Sequence, residues 1–179
     1  MTIPNQFISE LIESETLVDV FRDEIKGETL RGIIRDCSDG LVYIEKYSDL
    51  GAYDGISVFQ RPDVNRVRWG SLELGGTEKL LQKVANPKNI GLKRFPALWD
   101  AIVDLNGKYD SLSIYIERLD PEICLIGKVI DFDEEFVLLD EFGTLKTQDR
   151  RKLLLTRAEI TRVDVDGPYE RDIIALLSR

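Results

Sequence analysis

The chain repeats itself, and that fact limits its folds more than any other feature. Leu30-Arg-Gly-Ile-Ile-Arg-Asp36 lines up with Leu125-Ile-Gly-Lys-Val-Ile-Asp131 at a constant offset of 95 residues. The same register pairs Val42 with Val137, Leu50 with Leu145 and Asp54 with Asp149. One inserted residue then moves the offset to 96, pairing Arg61 with Arg157, Arg66 with Arg162 and Val67 with Val163. Self-similarity at a fixed period means a fold written in units, each one supersecondary assembly. A chain of 179 residues holds two such units of about 90, each large enough for a small core.

Patterning outside the aligned segments repeats as well. Phe7-Ile8 with Leu11-Ile12 has the spacing of one helical face, as do Leu98-Trp99 with Ile102-Val103. Each helix stands ahead of a first strand, 17–22 in one half and 112–118 in the other. A second short helix is expected over 77–85, with Leu80, Leu81 and Val84, and over 169–177, with Ile173, Ile174 and Leu177. Ser38-Asp39-Gly40 and Asp133-Glu134-Glu135 read as matching hairpin turns. Alternation in Val18-Asp-Val20, Ile114-Tyr-Ile116 and Val67-Arg-Trp69 marks strands buried on one face. The stretch 70–76 reads as a connector, and Asn86-Pro-Lys-Asn-Ile-Gly91 as the linker between units spanning 1–88 and 89–179.

The expected fold is mainly β with α: two tandem five-stranded barrels of the SH3-like kind, each with an N-terminal helix and a short C-terminal helix. Each half carries its own complete apolar set, which favours two closed barrels over one sheet running through both. Lys and Arg number 24 against 33 Asp and Glu, with no His, for a net charge of -9. Such a chain repels the phosphate backbone, so generic coating of DNA or RNA is disfavoured, and no histidine switch is available. The start carries no positive, apolar leader, and no run approaches the roughly 18 apolar residues of a membrane span. A soluble cytoplasmic protein is expected. Cys37 and Cys124 sit within strand patterns and read as buried free thiols.

With these residues laid out, the chain resembles the Sm-like family, the small RNA-associated barrels, present twice. Leu30-Arg-Gly32-Ile-Ile34 and Leu125-Ile-Gly127-Lys-Val129 resemble the opening of its first motif. The stretches 41–44 and 136–139 resemble the apolar strand that follows. The second motif resembles Val58-Phe-Gln-Arg61-Pro-Asp-Val64 and Leu154-Leu-Thr-Arg157-Ala-Glu-Ile160. The likeness covers about residues 5–69 and 97–165. It implies barrels whose edge strands pair with neighbours, and a base pocket made by an Asn and the second-motif Arg. The Asn position holds Gly40 in one half and Glu135 in the other, and the motif Gly after the Arg is Pro62 or Ala158. An aromatic-Asp pair survives as Phe132-Asp133 against Cys37-Ser38, and the Tyr-Lys-His signature of the bacterial branch is missing.

Candidate ligand or RNA contacts on this resemblance are Arg61, Arg157, Phe132 and Asp133. Arg61 and Arg157 read more plainly as turn arginines paired with Asp63 or Glu159, and Arg66 and Arg162 as solvated strand charges. Asp131-Phe-Asp133-Glu134-Glu135 lacks the Gly and the acidic twelfth ligand of a calcium loop and reads as a hairpin tip. Tyr43, Tyr47, Tyr53, Phe59 and Trp69 serve packing, or in part a partner surface. No catalytic motif, metal set or cofactor fingerprint occurs. The expected function is a non-enzymatic binding or assembly module, with a protein partner or self-association through barrel edge strands. A specialised single-stranded RNA binder using Arg61 and Arg157 is the alternative, and an acidic inhibitor or immunity-like protein a further one.

Overall fold

Apolar spacing places the first helix, α1 (Asn5–Glu13), with Ile8 and Leu11 buried. It leads into β1 (Leu17–Phe21), β2 (Leu30–Cys37), β3 (Leu41–Tyr47) and β4 (Tyr53–Gln60). A 3-10 turn over Arg61–Asp63 then redirects the chain into β5 (Arg66–Arg68) and α2 (Leu72–Glu78). The second half runs α3 (Leu98–Lys108), β6 (Leu112–Tyr115), β7 (Cys124–Phe132), β8 (Phe136–Phe142) and β9 (Arg150–Thr156). A matching 3-10 turn over Arg157–Glu159 precedes β10 (Arg162–Val165) and α4 (Pro168–Leu177). This computed structural model describes residues 5–81, 91, 95–143 and 149–177.

All ten strands join one antiparallel sheet in the order β5-β1-β2-β3-β4-β10-β6-β7-β8-β9. Each half contributes its five strands in the same internal order, and the halves meet where β4 pairs with β10. The registers repeat at the offset read from the sequence. Ile34 pairs with Ile44 and Cys37 with Val42 around a bulge, just as Val129 pairs with Leu139 and Phe132 with Val137 around another. Bulges increase twist and bend the strand. Gly32 and Gly127 sit at matching places on the bent strands, where a Cβ would collide with the carbonyl oxygens of Glu45 and Asp140. Only a residue without a side chain lets β2 and β3, or β7 and β8, approach so closely.

Two expectations are corrected. The sheet is open and runs through both halves, because the last strand of the second half completes its pairing on β4 of the first. Nor does each half keep its apolar set to itself. Leu41, Tyr43, Ile56 and Val58 of the first half lie in one buried cluster with Leu98, Ile102 and Leu105 of α3 and with Val163 and Val165 of β10. The opposite faces of β3 and β4 supply Val42, Ile44 and Phe59 to a separate cluster under α1. Alternation therefore sends both faces of these strands into cores.

Of the helix expected over 77–85 only 77–81 are described, and there α2 ends at Glu78 after starting at Leu72. Ser71 caps α2 by accepting a hydrogen bond from Leu74 N–H at 3.2 Å, and Thr77 donates to the Asp49 carbonyl at 3.0 Å. This cap and the buried Leu74 outweigh the two glycines that suggested a connector, whereas Leu80 is exposed. Val84, Ala85, Leu145 and, apart from Gly91, the linker over 86–91 lie outside the described residues. The other closing helix, α4, forms where expected with Ile173 buried. Among the described residues the protein is thus mainly β, with four helices and one open ten-stranded sheet.

Gly32→Ala and Gly127→Ala are each expected to destabilise the fold by about 1–3 kcal/mol or more, as backbone must shift to admit the methyl group. Urea unfolding midpoints of the two variants, compared with a surface Gly107→Ala control that meets open space, check this.

Candidate functional site

The β4–β10 seam carries an unusual load of buried charge. Arg22 follows β1, Glu117 follows β6, and both are almost fully enclosed. Their side chains form a two-pronged ion pair, with Arg22 Nη1 and Nη2 at 2.7 and 2.6 Å from the two Glu117 oxygens. The same carboxylate accepts a hydrogen bond from Thr161 Oγ1 at 2.7 Å. Arg162, on β10, is fully buried: it lies 3.5 Å from Glu117, 3.3 Å from Asp164 and 3.1 Å from Glu28. Its guanidinium also stacks over the Tyr115 ring at 3.5 Å. Lys46 Nζ of β3 completes the row at 2.7 Å from Asp164.

Signs alternate along this row: Arg22, Glu117, Arg162, Asp164, Lys46. Alternation is what makes the burial tolerable, because an isolated ion taken out of water costs several kcal/mol even after relaxation. Burial by itself would push the Glu117 carboxyl up, but the Arg22 hydrogen bonds and the charge of Arg162 outweigh it and hold the group below its ordinary 4.5. Asp164 follows the same logic, with burial opposed by Arg162 and Lys46, and stays below its ordinary 3.8. Three contacts of the row cross between halves, namely Arg22 to Glu117, Lys46 to Asp164 and Glu28 to Arg162. Arg118 to Asp63 at 2.5 Å adds a fourth crossing pair at the rim.

Arg162 is therefore no solvated strand charge, whereas Arg66 is exposed beside Asp23 at 3.3 Å. Alternation in Arg162-Val-Asp164-Val shows which residues share a face but not that a second half covers the polar one. One usable signal was present: the repeat register places Arg22 and Glu117 at equivalent positions with opposite charge.

The second-motif arginines both serve turns, with partners other than those expected. Arg61 Nη1 donates to the Ser38 carbonyl at 3.2 Å and lies 3.8 Å from Asp39, while Asp63 belongs to Arg118. Arg157 Nη1 donates to the Asp133 carbonyl, the matching atom of the second half. Backbone bonds repeat the tie, from Arg61 N–H to the Gly40 carbonyl at 2.8 Å and from Arg157 N–H to the Glu135 carbonyl at 2.9 Å. The Asp133 carboxylate accepts the backbone N–H groups of Phe136 and Glu135, which hold it below its ordinary value. That fixes the acidic stretch as a hairpin tip.

Arg157, Phe132 and Asp133 come together, and Trp99 joins them. The Arg157 guanidinium sits over the Trp99 ring at 4.5 Å, and the half-exposed Phe132 meets Trp99 edge-on at 5.1 Å. A shallow hollow of about 280 Å³ borders this platform, lined by Trp99, Ile102, Glu134 and Arg157. Arg61 is not part of that group and lines a larger hollow of about 520 Å³ with Cys37, Asp39 and Phe95 on its walls. Spacing sets Trp99 on one helical face with Leu98, Ile102 and Val103 and gives no reason to place it beside Phe132.

Tyr43, Tyr47 and Phe59 are packing residues, whereas Trp69 is exposed. Cys37 is only half-buried and Cys124 is exposed, a correction to the expected pair of buried thiols. Desolvation nonetheless raises both thiols above their ordinary value. Among the described residues no group of three potential metal ligands forms, and no helix is long and apolar enough to cross a membrane. The chain matches no family model, no curated protein and no solved structure.

Glu117→Met is expected to cost about 3–5 kcal/mol by stranding Arg22 and Arg162, and the double change Arg22→Met with Glu117→Met to cost less. Guanidinium unfolding of the two variants separates these outcomes. Because the folded values of Glu117 and Asp164 lie below their unfolded ones, their stabilisation is present above the ordinary carboxylate range. It is lost as pH falls through the depressed values. Without histidine, unfolding midpoints followed against pH should stay flat across the neutral range and fall only below about 4.5.

Proposed function

We propose that this chain is a non-enzymatic assembly module, two five-stranded Sm-like units joined edge to edge into one open sheet, that engages protein partners through the sheet edges left over. The observation that carries this reading is the β4–β10 pairing itself. An edge strand of one five-stranded set already docks on an edge strand of the other, in register from Phe59 with Arg162 to Ile56 with Val165. Strand addition of this kind takes its affinity from main-chain hydrogen bonds and its specificity from alternate side chains. Among the described residues β9 pairs only with β8 and β5 only with β1, so one strand edge stands open at each end. The absence of a catalytic constellation from the sequence agrees with a binding role, and the charge of -9 favours protein over nucleic acid.

Co-purification with the full-length chain after nuclease treatment tests the proposal. Partners are expected to survive nuclease and to be lost on Leu154→Glu, which places a charge on the open β9 edge. Partners that vanish with nuclease and are indifferent to Leu154 would overturn it.

A specialised RNA binder is the second reading, supported by the platform of Trp99, Phe132 and Arg157. An aromatic face beside a cation is what unpaired bases stack on. Against it, Arg157 is already engaged by the Asp133 carbonyl and the Trp99 face, and Glu135 sits where a base-reading amide would be needed. Short U-rich or A-rich RNA is expected to show no binding at low salt in fluorescence anisotropy. Binding that weakens in Arg157→Ala and falls steeply with salt would establish this second reading instead.

A further inference from the structure

The bend from β7 into β8 uses the same backbone frame as the bend from β2 into β3, so a side chain that differs between them is not required by that frame. Both carry a register shift, between Ile34 and Asp36 in one half and between Val129 and Asp131 in the other. In the first half, Arg35 at the shift is held by Glu45 and Glu15, each at 2.5 Å, and Cys37 is half-buried. The matching residues of the second half are Ile130 and Phe132, 48% and 49% exposed. An ion-paired position and a small one have become two large apolar side chains left half in water.

These two have apolar company. Phe132 meets Trp99 of α3 at 5.1 Å, and Val103, also exposed, follows Trp99 by about one helical turn. Asn106, three residues further along α3, donates through Nδ2 to the Val129 carbonyl at 3.0 Å and accepts the Val129 N–H at 2.9 Å. That pair of bonds fastens the helix to the strand one residue before Ile130. Trp99, Val103, Ile130 and Phe132 thus lie along one α3–β7 face.

The charges around this face are mostly of one sign. Asp131, Asp133, Glu134 and Glu135 are exposed on the bend, and Asp100 and Asp104 adjoin Trp99 and Val103 on the helix. The first half has one acid in Ser38-Asp39-Gly40 where Asp133-Glu134-Glu135 has three. Among the described residues, Asp131, Glu134 and Glu135 have no ion-pair partner. The cations at hand are engaged, Lys108 with Asp104 at 2.7 Å and Arg157 with the Asp133 carbonyl and the Trp99 ring. Exposed apolar surface with a charged rim marks a docking site, and the sign of the rim selects the partner.

We propose that the α3–β7 face docks a basic amphipathic segment of a partner protein, its apolar side chains covering Ile130 and Phe132 and its lysines or arginines meeting the surrounding carboxylates. The same acids repel the phosphates of a nucleic acid. Because β7 is flanked by β6 and β8, the face uses no free strand edge and is a second surface beyond the edge-binding reading.

A fluorescein-labelled helical peptide with leucines along one face and lysines on the rest, titrated with the full chain at low salt and followed by anisotropy, tests the proposal. Two controls accompany it: the same composition scrambled so that the leucines share no face, and the same pattern with glutamate in place of lysine. Tight binding is expected for the first peptide alone, weakening as salt is added. It is expected to fall about tenfold or more in Ile130→Arg, in Phe132→Ala and in the double change Glu134→Lys with Glu135→Lys. Ile130→Arg installs the residue type that the first half carries at this place, and circular dichroism with thermal midpoints checks that each variant is folded. Leu154→Glu on the β9 edge is expected to leave the affinity unchanged. No binding of the first peptide, equal binding of the scrambled one, or binding that Ile130→Arg and Phe132→Ala retain overturns the proposal. So does a peptide that responds to Leu154→Glu instead, a short U-rich RNA that displaces the peptide, or a light-scattering mass above one chain that Ile130→Arg abolishes. The co-purification result decides edge binding separately.

Discussion

Everything in this fold leans on the seam where β4 meets β10. Backbone pairing there covers four residue pairs, a short contact for joining two halves of a chain. Beneath it lies the row Arg22, Glu117, Arg162, Asp164 and Lys46, removed from water and matched in charge only when both halves are in place. Such a row contributes little net stability against an apolar alternative, but breaking it is costly because the ions left behind have no solvent. Its effect is therefore specificity: a half-displaced seam strands several buried charges at once. The shared apolar cluster adds to this, since Ile102 and Leu105 of α3 are buried in one cluster with Leu41, Tyr43, Ile56 and Val58 of the first half. The unit is written twice, and its two copies share one sheet and one apolar cluster.

Two sets of five strands were legible because the repeat writes them twice over, whereas the bulges were not. Gly32 and Gly127 illustrate why. A glycine at a matching point in two apolar strands signals a backbone approach, and the structure places a carbonyl oxygen at each. The seam was illegible for an equally physical reason. Alternation reports which residues share a face, but Arg162 and Asp164 share theirs with Lys46, more than a hundred positions away, and nothing local says that this face is roofed. The helix α2 was misplaced because its glycines weighed against it, while Ser71, three positions ahead of the buried Leu74, acts as the cap.

The turn arginines show how one residue type can do one job in two settings. Arg61 and Arg157 tie equivalent hairpin carbonyls, Ser38 and Asp133, to equivalent 3-10 turns. Their surroundings diverge by single residues. Cys37 stands where Phe132 stands in the other half, so an aromatic platform forms only in the second. Phe132, Asp133 and Arg157, three of the four candidate residues, assemble into one group. Its chemistry was not visible, because the Trp99 ring already occupies the guanidinium face that a ligand would need.

An open sheet invites unselective pairing at its edges, and natural sheets counter this with charge. This chain does so in a particular way. Its overall charge is -9, yet both open edges carry cations, Arg66 and Arg68 at one end and Arg150, Arg151 and Lys152 at the other. Each has an acidic partner in its own half, among them Asp19, Asp23, Asp140 and Glu141. A random strand approaching either edge must compete with those pairs. A strand that brings its own alternating acids and bases, in the spacing of the internal seam, exchanges one set of pairs for another and keeps Leu154 out of water. Selectivity at the edges then follows from the same alternation of sign that makes the buried seam tolerable.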